Sequence, residues 1–169
     1  MKAKLLINGQ ELEVEISDEE LKKLEEKQKK KTGYERVDLQ KMYYTVDERG
    51  NICSNFKVTT HEDDVVMAIG NCYSDKTVAE NNARADKLMR QLRRSAVEYR
   101  EKELNWLNED QKKYTISFDY DNNILSTDFW CSSSEFGTIY FDSEKTAERA
   151  IEAFRDELLW YFTEYEDSL

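Results

Sequence analysis

The sequence predicts an α+β fold, and three observations carry that prediction. Asn8-Gly9 separates two short runs of alternating apolar and polar residues, the pattern of a β-hairpin. Residues 43–103 and 113–163 each run from a Tyr-led strand through an Asn-marked turn to a second strand and a helix. Their strand-to-helix junctions are near copies, Tyr73-Ser74-Asp75-Lys76-Thr77-Val78-Ala79-Glu80 and Phe141-Asp142-Ser143-Glu144-Lys145-Thr146-Ala147-Glu148. The expected architecture is an N-terminal β-hairpin plus charged helix (1–32), a first antiparallel ββ(β)α unit (33–108) and a second, acidic one (109–169).

Both residues of Asn8-Gly9 tolerate the positive φ of a type I′ turn. Closing the hairpin there sets Leu5 opposite Leu12 and Ala3 opposite Val14 on one face. Lys4 then meets Glu13 and Lys2 meets Glu15 on the other, where ion pairs suit solvent. Ser17 and Glu20 form a capping box for a helix to about Lys31. Only Leu21 and Leu24 are large apolar residues in it, so it reads as a solvated arm ahead of Gly33.

In the first unit, strands are expected at 42–48, 51–58 and 65–72, with turns at Arg49-Gly50-Asn51 and His61-Glu62-Asp63-Asp64. A helix from Asp75 to about Glu103 follows. Val78, Ala85, Leu92, Tyr99 and Trp106 recur at heptad spacing, a buried stripe with Met89 and Ala96 beside it. In the second unit, Tyr114, Ile116, Phe118 and Tyr120 alternate with Thr115, Ser117 and Asp119, as a half-buried strand does. Asp121-Asn122-Asn123 makes the turn, and strands at 124–131 and 137–141 follow. The final helix sets Ala147, Ile151, Phe154, Leu158, Tyr161 and Tyr165 on one face, with Glu148, Glu152 and Asp156 away from it.

Of 169 residues, 39% are apolar, with ten Tyr, seven Phe and three Trp, enough to bury a core in spite of 36% charged residues. Pro is absent, so rigid linkers are absent too. Cys53, Cys72 and Cys131 are odd in number and widely spaced, as expected of free thiols in a reducing compartment. No stretch has secretory or transmembrane character, and a cytoplasmic location is expected. The net charge is −11, and it is uneven. Residues 1–103 carry 20 Lys and Arg against 21 Asp and Glu, whereas residues 104–169 carry 5 against 15. Such a chain repels bare nucleic acid and favours a basic partner, although solubility alone accounts for most acidic proteins.

The opening Ile7-Asn8-Gly9-Gln10 through Ser17-Asp18-Glu19-Glu20-Leu21 resembles the start of small uncharacterised proteins of phages and prophages of Gram-positive bacteria. So does the close, Gly137-Thr138-Ile139-Tyr140-Phe141-Asp142-Ser143-Glu144-Lys145-Thr146-Ala147-Glu148-Arg149-Ala150-Ile151. The resemblance covers most of the chain and implies no catalytic residues. It implies a setting among accessory genes of mobile elements, where inhibitors of bacterial defence, anti-CRISPR proteins among them, are common.

No catalytic motif, metal site or cofactor site is expected. His61 with Glu62, Asp63 and Asp64 reads as a solvated turn. Asp119, Asp121 and Asn123 open with calcium-loop spacing, but Ile124 stands where Gly is required and Trp130 where a bidentate Glu belongs. Magnesium at these carboxylates with Asp128 would lack the Lys of a nuclease site. The only His leaves little for nucleophilic catalysis, and no Gly-rich phosphate loop exists.

Two charged faces remain. Glu148, Glu152 and Asp156, extended by Asp119, Asp128, Glu135 and the tail Glu164, Glu166 and Asp167, form a candidate partner-binding face, with Trp160 either an aromatic anchor or packed on a neighbouring segment. Arg84, Lys87, Arg90, Arg93 and Arg94 form a candidate nucleic-acid face, whose blander reading is pairing with the acidic unit or solvation. The leading expectation is a non-enzymatic inhibitor that binds a host defence protein, a CRISPR nuclease such as Cas9 first among them, through the acidic face. The alternatives are an accessory DNA- or RNA-binding protein using the Arg helix, and a phage scaffold or interaction protein.

Overall fold

The computed structural model describes residues 2–7, 10–15, 17, 32–35, 37–38, 40–56 and 61–165. Strands β1 (Lys2–Ile7) and β2 (Gln10–Glu15) pair antiparallel in the predicted register, Leu5 opposite Leu12, Ala3 opposite Val14, Lys4 opposite Glu13 and Lys2 opposite Glu15. The Asn8-Gly9 turn and the helix expected beyond Ser17 lie outside the described residues.

The first unit opens with β3 (Met42–Val46) and β4 (Ile52–Phe56), an antiparallel hairpin. Its turn is held by one carboxylate. Asp47 accepts the N–H of Arg49 at 2.9 Å, the N–H of Asn51 at 2.7 Å and the Asn51 amide at 2.9 Å. Gly50 takes the positive φ, +84°, that the turn requires.

Next comes α1 (His61–Ala68), which corrects two expectations: His61–Asp64 is helical, not a turn, and 65–72 is not a strand. A short apolar run such as Val65-Val66-Met67 does not by itself distinguish strand from helix. The decisive signal is Gly70 at φ +75°, with its N–H on Met67 and that of Asn71 on Val66, a left-handed helix cap. What remains of the third strand is one bridge. Tyr73 and Tyr44 exchange two backbone bonds of 2.9 Å. The Asn71 carboxamide extends the ladder by acting as a peptide. It accepts from Val46 N–H at 2.8 Å and donates to the Val46 carbonyl at 2.7 Å.

Asp75 caps α2 (Lys76–Glu98), accepting from Thr77 and Val78 N–H at 2.8 and 3.1 Å. Ala79, Ala85, Leu88, Leu92, Ser95 and Ala96 form its buried stripe. The helix ends at Glu98, earlier than expected. Trp106 therefore leaves the helical stripe for the following loop, where its ring meets Tyr140 edge-on at 4.9 Å.

The second unit repeats the pattern. β5 (Lys113–Asp119) and β6 (Ile124–Trp130) pair antiparallel, and Asp119 closes the turn as Asp47 does. Phe141 bridges Tyr114 through bonds of 2.9 and 2.7 Å. The strand expected at 137–141 is reduced to that bridge. Ser143 and Thr146 form a capping box at the start of α3 (Glu144–Ala153). Phe154 interrupts the helix at φ −122° and ψ 23°, and α4 (Arg155–Trp160) and a π-helical turn (Tyr161–Tyr165) complete the described chain. Aligned on their bridges, the units superpose Tyr73 on Phe141, cap Asp75 on cap Ser143, and Ala79 on Ala147. Both alanines are fully buried, so a larger side chain at either would have to displace packed neighbours.

The main core joins the units. Leu88, Leu92 and Ala96 of α2 pack with Leu125, Phe141, Ala147, Ala150 and Leu158 of the second unit. Asp142 clamps the connection. Its buried carboxylate accepts the N–H groups of Glu101 and Lys102 at 2.7 and 2.8 Å and the Thr146 hydroxyl at 2.9 Å.

Candidate functional site

The acidic face forms because the core stripe of α3 and α4 leaves the opposite side to solvent. Glu148 and Glu152 are exposed on α3, Asp156 is exposed on α4, and no ion pair reaches them among the described residues. The row is interrupted at Phe154. Asp119 is exposed, but it is committed to its turn, and the Asn122 side-chain and backbone bonds hold its carboxyl below the usual range. Asp128 is exposed on β6 and accepts the N–H of Phe129 at 2.7 Å. Glu135 and Glu164 are exposed, while Glu166 and Asp167 lie outside the described residues.

Trp160 takes the packed one of its two expected roles. It is 7% exposed, with Arg84 stacked at 3.9 Å from its ring centroid and Tyr165 beside it at 5.6 Å. An aromatic on the polar side of a helix has been covered by a second helix, so it is part of the packing and not a free anchor.

The same contact removes Arg84 from the basic face. Its Nε lies 2.7 Å from Glu157, whose carboxyl is held below the usual range by that hydrogen bond, with the charge of Lys87 adding to it. Arg94 pairs with Glu98 at 2.6 Å on the same helix. Lys87, Arg90 and Arg93 are exposed and reached by no ion pair among the described residues.

Two cavities had not been anticipated. A polar one of about 750 Å³ lies between 32–42 and the start of α2. Glu35 organises its wall, accepting from the Ser74 hydroxyl at 2.7 Å, the Gly33 N–H at 3.1 Å and both donors of Thr32. Led by the Ser74 bond, these donors pull its carboxyl down to about 2. Asn82 closes one side, donating to the Tyr34 hydroxyl at 2.6 Å and accepting from that of Tyr165 at 3.1 Å. Glu35 and Asn82 are thus already engaged with neighbouring side chains and backbone, which suits a structural joint.

The second cavity, about 260 Å³, lies between α2, the β5 edge and the π turn, and its walls are mainly apolar. Asp128 and Glu135 are its charged lining residues. The repeat was the signal that could have found it, since Ile139 aligns with Asn71, which closes the corresponding edge of the first unit.

Among the described residues, no group of His, Cys, Asp and Glu is arranged to hold a metal ion, and no helix is long and apolar enough to cross a membrane. Cys53, Cys72 and Cys131 are not joined in disulfides, and Cys53 is exposed. Comparison with protein-family models, curated proteins and solved structures returns no match.

Proposed function

We propose that the protein is a non-enzymatic inhibitor of bacterial defence, of anti-CRISPR type. Its acidic second unit would occupy a basic nucleic-acid groove on its target, with a guided nuclease such as Cas9 the leading candidate. The observation that carries this reading is the unequal neutralisation of the two charged faces. Glu148, Glu152 and Asp156 present exposed carboxylates that no ion pair reaches among the described residues, whereas two of the five basic-face residues, Arg84 and Arg94, are tied to Glu157 and Glu98. Carboxylates left to solvent steer a cationic partner and penalise an anionic one.

Carboxylates four residues apart on a helix rise about 6 Å, against a phosphate every ~3.4 Å along one DNA strand. With the break at Phe154 as well, the face fills a groove by charge and bulk and does not copy a backbone phosphate by phosphate. The test is capture from host lysate at physiological salt after nuclease treatment, followed by displacement with added DNA or RNA. Changing Glu148, Glu152 and Asp156 to Lys should weaken capture by about tenfold or more. Undiminished capture by a folded variant would refute the mechanism.

A second reading, nucleic-acid binding, is favoured by the exposure of Lys87, Arg90 and Arg93. It requires binding that falls steeply with salt and is lost in the Arg90→Ala/Arg93→Ala variant.

A further inference from the structure

At one aligned position the two units differ in a way that leaves a sheet edge open. In the first, the outer edge of β3 is closed twice, by Tyr73 on Tyr44 and by the Asn71 carboxamide on Val46. In the second, Phe141 closes Tyr114, but the residue two before Phe141 is Ile139, which has no side-chain carboxamide to offer. Backbone groups alternate sides along an antiparallel strand, so the N–H and C=O of Ile116 face the same edge as those of Tyr114. Among the described residues no hydrogen bond closes them. The apolar cavity lies at this edge, walled by Leu88, Met89, Leu92, Ile116, Ile139 and Phe162.

We propose that this cavity receives one large apolar side chain from an extended segment of a protein partner, with Lys or Arg beside that residue in sequence and its backbone pairing with Ile116. The inference rests on the reading of the second unit as the partner-binding one. Size supports it: an apolar cavity of about 150 Å³ holds benzene, and this one is about 260 Å³. Charge supports it as well. Among the described residues, Asp128 and Glu135 are the only charged ones in the lining, both are exposed, and no ion pair reaches them. The Phe129 N–H orients the Asp128 carboxylate without neutralising it. Strand addition at an open edge supplies affinity through the main chain, and the pocket beside it supplies selectivity.

The test uses the full chain, labelled for NMR at backbone amides and methionine methyls, and three probes: acetyl-Lys-Phe-Lys-amide, acetyl-Lys-Ala-Lys-amide and acetyl-Glu-Phe-Glu-amide. The first should shift the Met89 methyl and the Ile116 and Ile139 amides, and bind about tenfold or more tightly than the other two. Ile139→Asn, which restores the first unit's closure, should abolish binding. Met89→Trp, which fills the cavity from α2, gives an independent check if Ile139→Asn does not fold. Asp128→Asn with Glu135→Gln should remove the preference for Lys over Glu. Absence of shifts at these residues, or equal binding of the three probes by the wild type, would overturn the proposal. The probes are read apart from Glu148, Glu152 and Asp156. Failure here with partner capture still sensitive to those residues rejects the cavity alone; cavity binding with insensitive capture rejects the acidic-face reading alone.

Discussion

At the residue scale, two buried polar side chains hold more of the structure than their sequence context suggests. Lys113 has no exposed surface. Its ammonium donates to the carbonyls of Asn108, at 2.8 Å, and Cys131, and lies 5.1 Å from the Trp106 ring centroid. Lys113→Ala leaves the Cys131 carbonyl without its donor, Asn108 with only the Gln111 N–H, and a void beside Trp106, and should cost about 2–4 kcal/mol in urea unfolding. Lys113→Met refills the volume and should recover part of that loss. Asp142 is the second. Burial pushes its carboxyl up, but the Glu101 and Lys102 N–H groups and the Thr146 hydroxyl outweigh this and hold it below the ordinary range. The native state therefore binds the proton less readily than the unfolded chain. The clamp contributes fully above the unfolded carboxylate pKa and is lost as pH falls through the lower, folded one. Asp142→Ala should cost about 1–3 kcal/mol at neutral pH, and should reduce the acid sensitivity of the unfolding midpoint. An unchanged acid limb would assign that sensitivity to other carboxylates.

At the element scale, local capping chemistry explains why the units look alike, and single positions explain where they part. Asp47 and Asp119 each tie a hairpin turn, and Asp75 and Ser143 each start a helix at the same offset from a bridge. Asn71 then closes an edge that Ile139 leaves open. Asn71→Ala should destabilise the chain by about 1–3 kcal/mol, since Val46 loses both partners, with amide exchange rising first at Val46. Gly33 is tied to the same unit by packing: it sits at φ +84°, and an added Cβ would run into the Val78 side chain. Gly33→Ala should lower the thermal midpoint more than an Ala substitution at solvent-facing Gly50, whose added Cβ meets nothing. Equal losses would show that the positive φ and not the contact decides the effect.

At the scale of the whole molecule, the C-terminal segment is the strap between the units. Tyr165 reaches Asn82 on α2, and Trp160 and Glu157 hold Arg84 of the same helix. Burial pushes the Tyr165 phenol up to about 12. Its contribution is complete below the unfolded phenol pKa of about 10, and is lost as pH rises through the folded value. Wild type should thus weaken in alkali more than Tyr165→Phe, followed by near-ultraviolet circular dichroism across an alkaline titration. Because Arg84 and Glu157 are both well exposed, Arg84→Ala should cost only about 1 kcal/mol or less in stability. Any larger loss of partner binding in that variant would mark the strap, and not its charge, as the feature the partner needs.

The sequence by itself determined whatever depends on near neighbours. The β1–β2 register follows from strand alternation about Asn8-Gly9, the helix starts from Asp75 and Ser143 within three residues, and the repeat from aligned junctions. It also located the core face of the last helix, from Ala147 to Tyr161. Tertiary structure alone decided what depends on distant partners. Two helices bring Arg84 against Trp160 and Glu157, the latter 73 positions away, a pairing that no local pattern specifies. The apolar run at 65–69 suited either a strand or a helix, and the Gly70 cap settled which. The cavity beside Ile116 follows from strand pairing that stops after the single Tyr114–Phe141 bridge, a contact between residues distant in sequence.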